Sequence, residues 1–339
     1  MAGSGINRVE LAAAVCEAGG LGCLAAAYCT VDAVRESIRK LRTMTDRPFA
    51  VNLFAPGSNQ PLSGDVAAQM RLLTPIYQQL GLDPPTLPER ASDPFEDYLE
   101  ILLSSRVPIV SFTFGVLPQN AVDRLHAQGT YLIGTATSVE EAKRLESAGI
   151  DALVAQGAEA GGHRGTFAHS DPALVGTIAL VPQIFDAVRL PVIASGGIMD
   201  GRGIVAALAL GASAVQMGTA FLTSRESGAP ECYKQAVLHA SENGTGLTRA
   251  FSGRWARGIR NRFMQESEKS QAEPLSFPWQ NSLTTQMRKV AAQKGNADLL
   301  SLWAGQGSPM ARVIDAGELV HQLEDEIRAA ALSLADLHS

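Results

Sequence analysis

The chain has 339 residues, 46% hydrophobic and 18% charged, with a formal net charge of −6. That is ample for a sizeable core, either one barrel-type domain of roughly 250 residues with additions or two domains. Acids and bases are interspersed, with no Lys/Arg block for nucleic acid or an anionic membrane, no long apolar span and no signal peptide, so a small-molecule partner and a cytoplasmic location are expected.

The chain opens with "MAGSGINRVELAAAVCEAGG", a loop and then a helix. Short β-type runs follow, each succeeded by a helical pattern: Leu21–Ala27, Phe49–Ala55, Val107–Gly115, Thr130–Ala136, Asp151–Gly157, Pro191–Gly197 and Ala214–Leu222. Their near-continuous apolar character is that of parallel strands buried on both faces. Between them lie amphipathic segments. "SVEEAKRLESAG" has Ser138 as a cap, Glu141 at the capping-box position and Gly149 as its stop; "MDGRGIVAALALG" has Asp200 as its cap. The rhythm predicts an α/β fold with right-handed crossovers, a TIM (β/α)8 barrel. Seven strands are legible, and the eighth, first in order, is expected ahead of Met1. A doubly wound sheet is the rival topology, but "AGSG" only faintly resembles its phosphate loop and no strand precedes it.

Loops rich in Pro and Gly mark a helical insertion around 57–105. After Leu222 the strand rhythm stops, and "PECYKQAVLHA", "SLTTQMRKVAAQKG", "ADLLSLWAGQG" and "ELVHQLEDEIRAAALSLADL" read as helices. The expected organisation is therefore a barrel over 1–229 and a smaller, mainly helical region over 230–339 that covers the barrel mouth. The four cysteines show no metal-ligand spacing and read as reduced residues; no metal is expected.

Chemistry collects at the strand ends, where barrels of this type place their sites. Gly196 and Gly197 end one strand, and Gly218 and Thr219 follow the next. Glycine lets backbone N–H groups approach a phosphate, although the same glycines would serve a tight turn. Asn52, Gln156 and Gln216 interrupt apolar runs with amides, which are costly to bury unless paired. Together they suggest one polar ligand such as a flavin; singly, each would read as a water-bonded core amide. The loop "VAQGAEAGGHRGTF" sets His163 and Arg164 between glycines, where an imidazole has almost nothing to pack against. Arg164 reads equally well as a partner of an anionic substrate and as a structural ion pair. His126 and His169 read as surface and loop residues.

The segments "ELAAAVCEAGGLGCLAA", "RPFAVNLF", "AQGAEAGGHRGTF", "PVIASGGIMDGRGIVAALALGASAVQMGTAFL", "RAFSGRWARGIRNRF" and "WAGQG" resemble the FMN-dependent nitronate monooxygenases, formerly 2-nitropropane dioxygenases. "EAGGHRG" is similar to their class I branch. The resemblance implies a TIM barrel that binds FMN and oxidises an alkyl nitronate, propionate 3-nitronate being one candidate, with O2 to a carbonyl compound and nitrite. It carries FMN contacts onto Asn52, Gln156, Gly161, Gly197, Gln216, Met217, Gly218 and Thr219, and others near Met1, Ala2 and Gly3. It makes His163 the active-site histidine, positioned to take a proton from substrate or, as imidazolium, to stabilise an anion. No nicotinamide site is visible. A homo-oligomer is compatible with the sequence. The alternatives are a flavin-dependent enoyl-acyl-carrier-protein reductase, which would need NAD(P)H, and a non-catalytic flavin-binding protein.

Overall fold

The computed structural model describes residues 6–57, 59–89, 94–169 and 174–336. Seven strands form one parallel sheet: β1 (Cys23–Ala25), β2 (Ala50–Phe54), β3 (Ile109–Thr113), β4 (Tyr131–Ala136), β5 (Ala152–Gln156), then, beyond the two-residue β6 (Gly162–His163), β7 (Val192–Ser195) and β8 (Ala214–Gln216). The order is sequential, β1-β2-β3-β4-β5-β7-β8. This is an α/β fold of the TIM-barrel type, with each strand contained in one of the expected apolar runs. The last run stops early: β8 ends at Gln216 and the chain continues as a 3-10 turn, Thr219–Phe221.

The caps work as the sequence implies, with one addition. Ser138 Oγ accepts from Glu141 N at 3.2 Å and opens the helix Val139–Ser147. Asp200 Oδ1 accepts from Gly203 N at 3.1 Å and opens Gly201–Ala209. The Glu141 carboxylate bonds Thr137 N, not Ser138 N, and then reaches the His163 loop.

Two cores hold the molecule together. The first lies between the sheet and its helices and includes Val51, Val110, Phe112, Leu132, Leu153, Leu180, Ile184 and Ala194. The C-terminal helix Ala316–Ala335 joins it through Leu319 and Leu323, in contact with Gly201–Ala209 and Val9–Glu17. The second core is built from distant stretches: Leu73, Ile76, Tyr77 and Leu80 of the helix Val66–Leu80 pack with Phe251, Phe263, Leu283, Met287, Leu299 and Leu302. A buried amide pair ties it together, Gln280 Nε2 donating to Gln69 Oε1 at 2.9 Å and to Ala250 O at 2.7 Å.

The region after Pro230 is less purely helical than its pattern suggests. β9 (Thr245–Thr248) and β10 (Ala256–Ile259) form an antiparallel pair that β6 extends, in the order β6-β10-β9. "ADLLSLWAGQG" is helical only as a 3-10 turn over Ala297–Leu299; Trp303 then bridges to Gly258, and sheet pairing displaces the local helical preference. Among the described residues no helix is long and apolar enough to cross a membrane.

Candidate functional site

The loop after β5 carries His163 across the strand ends and is fixed at every step. β6 pairs His163 with Ala256 and Gly162 with Arg257 of β10. Gly162 has φ +80°, a conformation glycine adopts without the Cβ penalty. At Gly161 a Cβ would stand 2.4 Å from Gly305 N, so only glycine fits there. Gln156 uses both ends of its amide: Nε2 donates to His163 O at 2.9 Å, and Oε1 accepts from Gly165 N at 2.8 Å. Arg164 is 1% exposed and donates to Gly157 O at 2.5 Å and Gln156 O at 3.0 Å, so it clamps the loop from inside. Glu141, also 1% exposed, accepts from Thr137 N and Oγ1, Thr166 Oγ1, Phe167 N and Ala168 N at 2.6–3.0 Å. A buried carboxylate with so many donors makes a rigid anchor.

The imidazole stands in a pocket of rings. Its centroid lies 5.7 Å from Phe114, 5.5 Å from Trp303 and 6.4 Å from Phe54. Phe277 lies behind, 5.9 Å from Phe54. Nε2 is 2.8 Å from Ser252 Oγ. Two cations share the pocket: Arg254, its guanidinium carbon 4.1 Å above the Phe114 ring, and Arg288, which donates to Asn281 Oδ1 at 2.7 Å and Thr285 Oγ1 at 3.0 Å. Burial, then Arg254, then Arg288, lower the His163 pKa to about 3. All three causes favour the neutral imidazole over the imidazolium. Tyr28 lies edge-on to Phe54 at 5.5 Å. Burial raises its phenol to about 12, so it keeps its proton, and its hydroxyl makes no hydrogen bond among the described residues.

A second group of residues lines the rim at β7 and β8. These strands are adjacent, Ser195 facing Gln216, so the turns after them lie side by side. Gly197 has φ +72° and is exposed; Gly218 opens the Thr219–Phe221 turn; Gln216 is exposed and Met217 half-buried. Thr219 Oγ1 accepts from Gly305 N at 3.0 Å, and Gln306 N donates to Glu159 O at 3.0 Å. The "WAGQG" segment thus joins this rim to the His163 loop. Asn52, inside the barrel on β2, donates to Ser111 Oγ at 2.9 Å on β3. Met1, Ala2 and Gly3 lie outside the described residues.

The sequence reading missed Tyr28, Phe114, Ser252, Arg254, Phe277, Arg288 and Trp303. The motifs "SGRW" and "WAGQG" were signals for Ser252, Arg254 and Trp303, whereas Arg288 on the helix Trp279–Gln293 resembles any surface arginine. His126 and His169 are surface residues, paired with Asp151 at 3.0 Å and Glu140 at 2.9 Å.

Known proteins resemble this arrangement over nearly the whole chain. The nitronate monooxygenase family profile matches residues 1–326. The probable nitronate monooxygenase of Staphylococcus saprophyticus is 43% identical over 326 residues, 95% of this chain and 91% of that protein. That of Staphylococcus aureus strain Newman is 42% identical over 329 residues, 96% and 92% of the two chains. Among solved structures, nitroalkane oxidase from Streptomyces ansochromogenes superposes with a TM-score of 0.90 at 44% identity, covering 98% of this chain and 95% of that one. FabK from Thermotoga maritima superposes at 0.78 with 30% identity, covering 99% and 94%. On the profile match and these identities, the chain belongs to the nitronate monooxygenase family of oxidoreductases.

Proposed function

We propose that the chain oxidises an alkyl nitronate with O2 to a carbonyl compound and nitrite, at the His163 pocket and with FMN as cofactor. The observation that carries this reading is the make-up of the pocket: His163 stands among Phe54, Phe114 and Trp303, with the Arg254 guanidinium stacked on Phe114 and Arg288 acting on the same imidazole. A base with a pKa of about 3 is too weak to take a carbon-bound proton from a neutral nitroalkane near neutral pH. A nitronate has already lost that proton, and its anionic oxygens suit a cationic pocket lined by rings. Two guanidinium groups also suit a nitronate with a second anionic group, such as propionate 3-nitronate.

The strand-end rim suits a single phosphate, because left-handed Gly197 and the Gly218 turn follow adjacent strands and neither carries a Cβ. Gln216, Met217, Gly218, Thr219 and Gly197 would hold the phosphate end of FMN, while Asn52, Gln156 and Gly161 would face its ring. FMN would supply the electron-accepting and oxygen chemistry. The chain's own part is to orient the anion: Tyr28 presents an O–H, the arginines present charge, His163 presents a neutral imidazole nitrogen, and the rings exclude water.

The test is oxygen uptake by FMN-loaded protein with ethylnitronate and with nitroethane, side by side. Nitronate turnover with little or no nitroethane turnover is expected. No uptake with either, together with bleaching of the flavin by NADH alone, would replace this reading with the reductase.

A further inference from the structure

Phe114 follows the end of β3 with φ +75°, in the left-handed region. A bulky side chain is a genuine outlier there, and such strain persists only where the surroundings enforce it. Glycine would make the same turn freely, so the ring accounts for the residue. That ring is 4% exposed and has neighbours on every side: Phe54 at 4.6 Å, Phe277 at 6.3 Å and the His163 imidazole at 5.7 Å, edge-on at 85°. Its face lies 4.1 Å from the Arg254 guanidinium carbon, nearer than the Phe277 face at 5.6 Å.

We propose that Phe114 is a positioning residue for substrate recognition: its left-handed backbone turns the ring face toward Arg254 and seats that charge beside His163, where it meets the anionic oxygens of the substrate. The reasoning is electrostatic. Burial lowers the pKa of Arg254 to about 10, so its charge sits in a desolvated place. An aromatic face attracts a cation most strongly where water is excluded, and a planar guanidinium stacks on it without losing its in-plane N–H donors. The stacked group keeps its positive charge, which acts on an anion beside it. Phe114 therefore acts through Arg254 and touches the reaction only as the seat of that side chain.

This inference rests on the reading that the pocket takes an anion, and a double-mutant cycle separates the two. The variants are Phe114→Leu and Phe114→Met, which lack a π face, Phe114→Tyr, which keeps one, Arg254→Met, and Phe114→Leu combined with Arg254→Met. In FMN-loaded protein, Phe114→Leu should raise the ethylnitronate KM about 10-fold with kcat within about twofold. Phe114→Tyr should stay near wild type, and the double variant should be no worse than Arg254→Met alone. Independently of turnover, the His163 imidazole is titrated by NMR. Arg254 and Arg288 oppose its protonation, with Tyr28 facing both, so displacing Arg254 should raise its pKa. Phe114→Leu and Arg254→Met should each do so, and the double variant no more than Arg254→Met. Multiplying effects in the double variant, or equal defects in Phe114→Tyr and Phe114→Leu, would overturn the proposal. If Phe114→Leu does not fold, Phe114→Met takes its place in the same cycle. Wild-type protein inert to ethylnitronate would remove the substrate half, while the titration would still decide whether Phe114 seats Arg254.

Discussion

The His163 loop and the β7–β8 rim are both glycine-rich strand ends, yet they are built in opposite ways. In the loop, protein groups answer protein groups: Gln156, Arg164 and Glu141 together anchor the segment from His163 to Ala168. At the rim, Gly197 and Gln216 face solvent. The loop is finished before any ligand arrives, as a reactive group needs if it is to be held in one geometry. The rim leaves backbone and amide groups for a ligand to complete. Glycine serves close packing of chain on chain at Gly161, and a left-handed turn at the exposed rim at Gly197.

The contrast can be broken from either side. The largest effect should come from Glu141→Gln, which keeps an acceptor but turns an NH2 group toward donors. A loss of about 3 kcal/mol in folding stability is expected, read by urea unfolding. Next, Gly218→Val should abolish flavin retention with the barrel still folded; full flavin occupancy with unchanged far-UV circular dichroism would place the phosphate elsewhere. Gly161→Ala should cost about 1–3 kcal/mol by forcing the loop from Ala304 and Gly305. Because Gly305 also bonds Thr219, it should weaken flavin binding as well; Gly162→Ala, whose cost is the strain of its left-handed backbone and whose Cβ would touch nothing within 4 Å, should lower stability and leave flavin binding nearly unchanged.

The smallest effect sharpens the comparison. His163→Asn should lower ethylnitronate turnover about 10-fold, not the 100- to 10,000-fold typical of losing a general base. The same variant has a pH signature. The folded imidazole stays neutral down to about pH 3, while the unfolded one takes a proton near 6.5. The unfolded state binds more protons in that window, so stability is lost as pH falls from 6.5 toward 3. His163→Asn should flatten that part of the stability profile, and an unchanged slope would mean that the imidazole is not desolvated.

Apolar runs and caps made the barrel legible, because a strand buried on both faces must be apolar almost throughout. Gly161, Gly197 and His163 were legible through motif and resemblance. The short β6–β10–β9 sheet was not: its strands are two to four residues long and contain Gly, and β6 owes its existence to pairing with β10 across about 90 residues of sequence. The rings and arginines of the pocket were hidden for a related reason. Tyr28, Phe114, Arg254 and Arg288 come from four separate segments, and only the fold brings them together. Nor could the sequence show that His163 would lose its ordinary pKa, since that depends on the company it keeps.

The second core has a bearing on how the molecule is made. The helix Val66–Leu80 finds its apolar partners between Leu222 and Ala304, so most of them leave the ribosome at least 140 residues later. Until then Leu73, Ile76 and Tyr77 remain a sticky face on a half-built protein. Closing so long a loop is slow, and the waiting surface can mispair. Late synthesis should therefore be the vulnerable stage. Chains arrested before Trp279 should be captured by chaperones more strongly than chains released at full length.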